Sequence, residues 1–127
     1  MNELLAKTLQ LQYNIELYHR NTLRLEYNLH SVLGSIKDSL FEYSDKIGEY
    51  IIKEWDIITQ WEIYNNATDK TPKWIYMHSQ ELVREYIDYV INYYTNNNLD
   101  KRVENYLIDI ADNLEQEYAK LQSTLNY

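Results

Sequence analysis

The sequence predicts an all-α protein, a four-helix bundle with a longer middle connection containing a short helix. Three observations carry this. Apolar residues recur at steps of three and four in four separate segments, the spacing that lines one face of a helix. The composition holds only Gly 2 and Pro 1, too few for the many turns of a sandwich or barrel, which need positive or preset φ. And 127 residues with 45% hydrophobic and 14% aromatic side chains give one domain, residues 1–127, with apolar surface enough to exclude wholesale disorder.

The first helix is expected over residues 2–20, where Leu4, Leu11, Ile15 and Tyr18 form a stripe with Leu5 and Leu9 beside it. Asn21 and Thr22 compete with the backbone for hydrogen bonds and are read as terminators, with a short connection around residues 21–27. A second stripe, Leu29, Val32, Ile36, Leu40, Tyr43, Ile47 and Tyr50, follows. This helix contains both glycines, Gly34 and Gly48, each costing about 1 kcal/mol relative to alanine. Close approach of another backbone is the expected compensation. The segment WDIITQWEIYNNATDKTP loses the periodicity and reads as a short helix followed by a loop. Pro72 suits a first helical turn, and Ile75, Leu82, Tyr86, Tyr89 and Tyr93 mark a third helix ending at Asn96–Asn98. Asp100 is the expected N-cap of the last helix, whose stripe is Val103, Leu107, Ile110, Leu114, Tyr118, Leu121 and Leu125.

The net charge is −8 with a pI near 4.8, which opposes a broad basic footprint for nucleic acid or an anionic membrane. The basic residues are scattered rather than gathered in an arm. Twenty acids diluted by 12 bases are also a modest excess for a mimic of DNA, so the charge reads as solvated surface. Cys 0 excludes a disulfide scaffold, a thiolate zinc cluster and a cysteine nucleophile. The start MNELLAKTLQ has no basic region before an apolar core, and no run reaches the length of a membrane span. A soluble, cytoplasmic protein is expected. Frequent Asn, Ile, Tyr and Lys with little Ala points to an A/T-rich genome, such as that of a low-GC bacterium or its phage.

Carboxylates and imidazoles on facing helices of a bundle can hold iron. A di-iron site within one subunit uses two Glu-x-x-His pairs, and only Glu16 with His19 has that spacing here. More specific is the order His19, His30, Asp45, Glu49. The two carboxylates stand one turn apart on one helix face. His30 and Asp45, however, are separated by about 22 Å of straight helix at 1.5 Å per residue. They can meet only where two antiparallel copies of the second helix pair about a two-fold axis. His78 is expected at the surface or in a cap. The 14 tyrosines lie largely on the apolar stripes and read as core and interface. Trp55, Trp61 and Trp74 gather around the middle connection as a contact patch for another subunit or a partner.

These residues carry a resemblance to the Dps family of starvation-induced mini-ferritins. LLAKTLQLQYNIELYHRNT resembles that family's first helix with its terminal His. HSVLGSIKDSLFEYSDKIGE resembles its second, in which Asp and Glu follow the His by the spacing of His30, Asp45 and Glu49. VENYLIDIADNLEQEYAKLQSTL is similar to its last helix. The chain departs from the pattern at Gly34, where the family has a carboxylate, and at Arg20, where it has Trp; the two histidines are also one residue closer. There is no Lys-rich tail of the kind that holds DNA. The resemblance implies a ferritin-like bundle that binds and oxidises ferrous iron at an inter-subunit site. The ligands would be His19 and His30 of one subunit with Asp45 and Glu49 of its neighbour. It implies a homo-oligomer, a dimer through the second helix and up to a twelve-subunit shell. The alternative is a non-enzymatic helical interaction protein, for example a phage protein that inhibits a host factor, with a degenerate metal site.

Overall fold

All four periodic segments are helical in the computed structural model, which describes residues 1–22, 26–53 and 71–125. Helix α1 runs Asn2–Asn21, α2 Tyr27–Lys53, α3 Pro72–Asn96 and α4 Lys101–Gln122. The predicted short helix of the middle connection, with Trp55 and Trp61, lies outside the described residues.

The helix ends follow from the residues placed there. Thr22 stops α1 by turning its hydroxyl back onto the carbonyls of Tyr18 and His19 at 3.2 and 3.0 Å. This satisfies acceptors that the helix leaves orphaned. Thr71 caps α3, its side chain accepting from the Trp74 amide at 3.1 Å, with Pro72 in the first turn. Asp100 accepts from the Arg102 amide at 2.9 Å and caps α4 as expected. That helix ends at Gln122, so Leu125 packs on the core from beyond it.

The core is one cluster drawn from all four helices, with Leu33, Ile36, Leu40, Ile47, Ile87 and Leu107 among its fully buried members. On α3 the buried face is turned from the expected stripe. Tyr76, Ser79, Val83, Ile87 and Val90 are buried with Ile75 and Tyr86, whereas Leu82, Tyr89 and Tyr93 sit half-buried at its edge. The tyrosines drew the sequence stripe toward themselves. The polar tips of Tyr89 and Tyr93 hold these two at the margin of the core, and Val83, Ile87 and Val90 take the interior.

Helix α1 packs on α2 and α3, and α4 packs on the same two, so α1/α4 and α2/α3 lie on the diagonals. Contacts between side chains fix the directions. His19 meets His30 and Gln12 meets Ser44 between α1 and α2. Tyr18 meets Trp74 while Thr8 meets Tyr86 between α1 and α3. Tyr76 reaches the Gln122 carbonyl at 2.6 Å and Arg84 reaches Glu115 between α3 and α4. Each of these pairs is therefore antiparallel. Consequently α2 and α3 run the same way, and α3 begins at the end of the bundle where α2 also begins. Among the described residues no helix is long and apolar enough to cross a membrane.

Candidate metal centre

At the end of the bundle where α1 hands over to α2, the chain brings two of the four expected ligands together. The imidazoles of His19 and His30 stack with ring centroids 3.9 Å apart and planes 16° from parallel. Each ring also bonds the other residue's backbone. His19 Nδ1 lies 2.9 Å from the His30 carbonyl oxygen, and His30 Nδ1 lies 2.6 Å from the His19 carbonyl oxygen. A carbonyl can only accept, so both Nδ1 atoms carry the proton and both Nε2 atoms keep a lone pair in the neutral ring. Half of this arrangement also caps α1, because the His19 carbonyl is among the acceptors left over at that helix end.

Gly34 makes the stack possible. A Cβ at that position would lie 2.7 Å from His19 Cε1 and 3.1 Å from its Nδ1. What approaches Gly34 is an imidazole rather than the backbone expected from the sequence, and the absent side chain is the space that the first histidine occupies. Gly48 differs, for among the described residues a Cβ there meets nothing within 4 Å.

The remaining candidates stand apart. Asp45 and Glu49 are exposed on α2, and Glu49 lies 3.6 Å from Lys46. Among the described residues no group of three or more His, Asp or Glu side chains is placed to hold a metal ion. Glu16 does not pair with His19. It bonds Arg20 at 2.7 Å and Lys37 at 3.3 Å. Burial pushes the Glu16 carboxyl up, but the hydrogen bonds from those two cations outweigh it and hold the group below its usual range. Arg20 is thereby turned onto Glu16, and Asp38 lies 3.4 Å from Lys37. His78 is no cap. It stacks on Trp74 at 4.5 Å and lies 3.5 Å from Glu81.

His30, Gly34, Phe41, Asp45 and Gly48 are spaced to fall along one side of α2, the side turned outward beside α1. Phe41 on that line is 63% exposed, and Tyr13 of α1, across a shallow groove from it, is 47% exposed. The sequence reading missed this apolar element. An aromatic residue off the buried stripe was the signal for it. The chain matches no family model, no curated protein and no solved structure.

Proposed function

We propose that the protein is a ferritin-like, Dps-like iron-binding protein that oxidises and sequesters ferrous iron at a site shared by two subunits. The observation that carries this reading is the pair of histidines whose Nδ1–H groups are both held by backbone carbonyls. Imidazoles that bind metal are commonly oriented this way, since the bond fixes the tautomer and leaves Nε2 for the ion. The helix directions support it as well: α1 and α4 one way, α2 and α3 the other, with one connection returning along the bundle, is the arrangement of ferritin-like folds.

The outward line on α2 complements itself in an antiparallel pair. With a two-fold axis between Lys37 and Asp38, His30 faces the partner's Asp45 and Lys37 faces the partner's Asp38. A cation opposite a carboxylate is what a self-matching interface requires. In such a site His19 and His30 of one subunit and the carboxylates of Asp45 and Glu49 of the other offer nitrogen and oxygen donors suited to iron. There two ferrous ions would reduce dioxygen to hydrogen peroxide, or hydrogen peroxide to two waters, with uptake of two protons, and the carboxylates of Asp45 and Glu49 would stabilise the ferric product.

The test combines light-scattering mass with ferrous titration under air, for the wild-type protein and for Asp45→Ala and His30→Ala. A multiple of the subunit mass with iron oxidation lost in both variants is expected. A monomer that leaves ferrous iron unoxidised would sink the reading. The second reading, an interaction protein without iron chemistry such as a phage protein acting on a host factor, rests on the exposure of Tyr13, Tyr27, Phe41 and Met77. It requires binding of a host protein that survives Asp45→Ala.

A further inference from the structure

Tyr27, at the start of α2, is 72% exposed and is the most open large apolar side chain among the described residues. Gly48, near the other end of the same helix, is unfavourable inside a helix, and among the described residues a Cβ there meets nothing within 4 Å. At Gly34 the His19 ring fills the corresponding space. The space at Gly48 is left open on the outward line that also carries Phe41 and Asp45. Glycine at such a place lets another group come close to the backbone.

Tyr27 and Gly48 stand in a fixed relation to the candidate ligands. Tyr27 precedes His30 by three residues, and Gly48 follows Asp45 by three. In an antiparallel pair of α2 helices, any register that sets His30 opposite the partner's Asp45 therefore sets Tyr27 opposite the partner's Gly48, nearly one turn further from the axis. The match matters because charge alone holds that register weakly. Lys37 is already engaged within its own subunit, by Glu16 at 3.3 Å and Asp38 at 3.4 Å, and exposed ion pairs contribute little. Helices held only by such pairs slide by a turn at small cost. A ring seated on bare backbone resists sliding, since in other registers it meets side chains, and a single residue placed in this way can specify register.

We propose that the outward face of α2 takes a second copy of this chain, with Tyr27 of each subunit packed over the partner's Gly48. These two contacts fix the register that brings His30 to the partner's Asp45. The inference rests on the paired site proposed above and makes Tyr27 and Gly48 positioning residues for it.

The chain has Cys 0, so introduced cysteines report the contact directly and without iron. On oxidation with copper–phenanthroline, Tyr27→Cys combined with Gly48→Cys should give a disulfide-linked dimer on a non-reducing gel, and each substitution alone should give none. About 31 Å of helix separates the two positions within one chain, whereas a disulfide needs Cα atoms within about 7 Å. Phe41→Cys should also stay unlinked, because its two copies stand about 10 Å apart along the paired helices. Gly48→Phe should lower the scattering mass while leaving helix content unchanged, and serves if the double variant does not fold. A monomeric wild type overturns the contact together with the shared site. A dimer that leaves the double variant unlinked, links through any one of the single cysteines, or keeps its mass in Gly48→Phe overturns the contact alone. Ferrous titration of the wild type then judges the iron reading separately.

Discussion

The two glycines of α2 show how one residue type is used for opposite reasons. Gly34 has an imidazole where its side chain would be. Gly34→Ala gains about 1 kcal/mol of helix propensity but forces the His19 ring out of the stack and off the His30 carbonyl. A net loss of about 1–3 kcal/mol is expected from overpacking and the broken bond, read as a lower denaturation midpoint. Gly48→Ala adds a methyl group that meets nothing within 4 Å among the described residues. Within the isolated subunit it should raise stability by about 0.5–1 kcal/mol. If α2 helices pair closely, the same methyl group stands in the contact, and the scattering mass falls while the subunit itself is more stable. A stabilised subunit with unchanged mass would separate Gly48 from the interface.

At the scale of elements, the α3–α4 pair is tied by Arg84. Its guanidinium reaches both oxygens of Glu115 at 2.7 and 3.0 Å, bonds Asp88 at 3.0 Å and lies over the Tyr118 ring. The fork geometry suits a carboxylate in a way that an ammonium cannot reproduce. The carboxylates are well exposed, so solvent screening limits the worth of the pair. Arg84→Lys should therefore cost about 1 kcal/mol or less, and the loss should shrink in high salt when followed by urea unfolding. The α1–α2 pair is held differently, by the crossed histidine bonds at one end and by Gln12 and Ser44 in the middle. Helix length and capping were legible before the structure: Thr22, Pro72 and Asp100 act where their chemistry placed them. The rotation of α3 was not, because Tyr86 and Tyr89 count alike as apolar along the sequence. Only packing against α1 decides that Tyr86 is buried and Tyr89 stays half-exposed.

For the whole molecule, the many tyrosines predict how it responds to alkali. Burial pushes the hydroxyls of Tyr18, Tyr89 and Tyr106 up to about 12, and raises those of Tyr43 and Tyr86 as well. Unfolded tyrosines ionise near pH 10. Between about pH 10 and 12 the unfolded chain has given up protons that the folded chain keeps, so stability falls as pH rises. Denaturation midpoints should be insensitive to tyrosine below about pH 9 and drop steeply above about pH 10. Phenolate absorbance from these five tyrosines should appear together with unfolding rather than before it. Ionisation of these five in a still-folded protein would contradict the burial.

The sequence by itself determined the four helices, most of their ends and most of the residues that fill the core, because helical periodicity, capping chemistry and apolar content act locally. It also marked His19, His30, Asp45 and Glu49 as candidate ligands, with the rise of a helix keeping His30 and Asp45 of one subunit apart. Only the tertiary structure decided that His19 and His30 lock onto each other's carbonyls, that Gly34 is the space for a ring, and that Asn14 is buried between α1 and α3. Those facts depend on how two helices approach across the bundle. The distance between residues on different helices is set by packing, and no spacing along one chain segment encodes it.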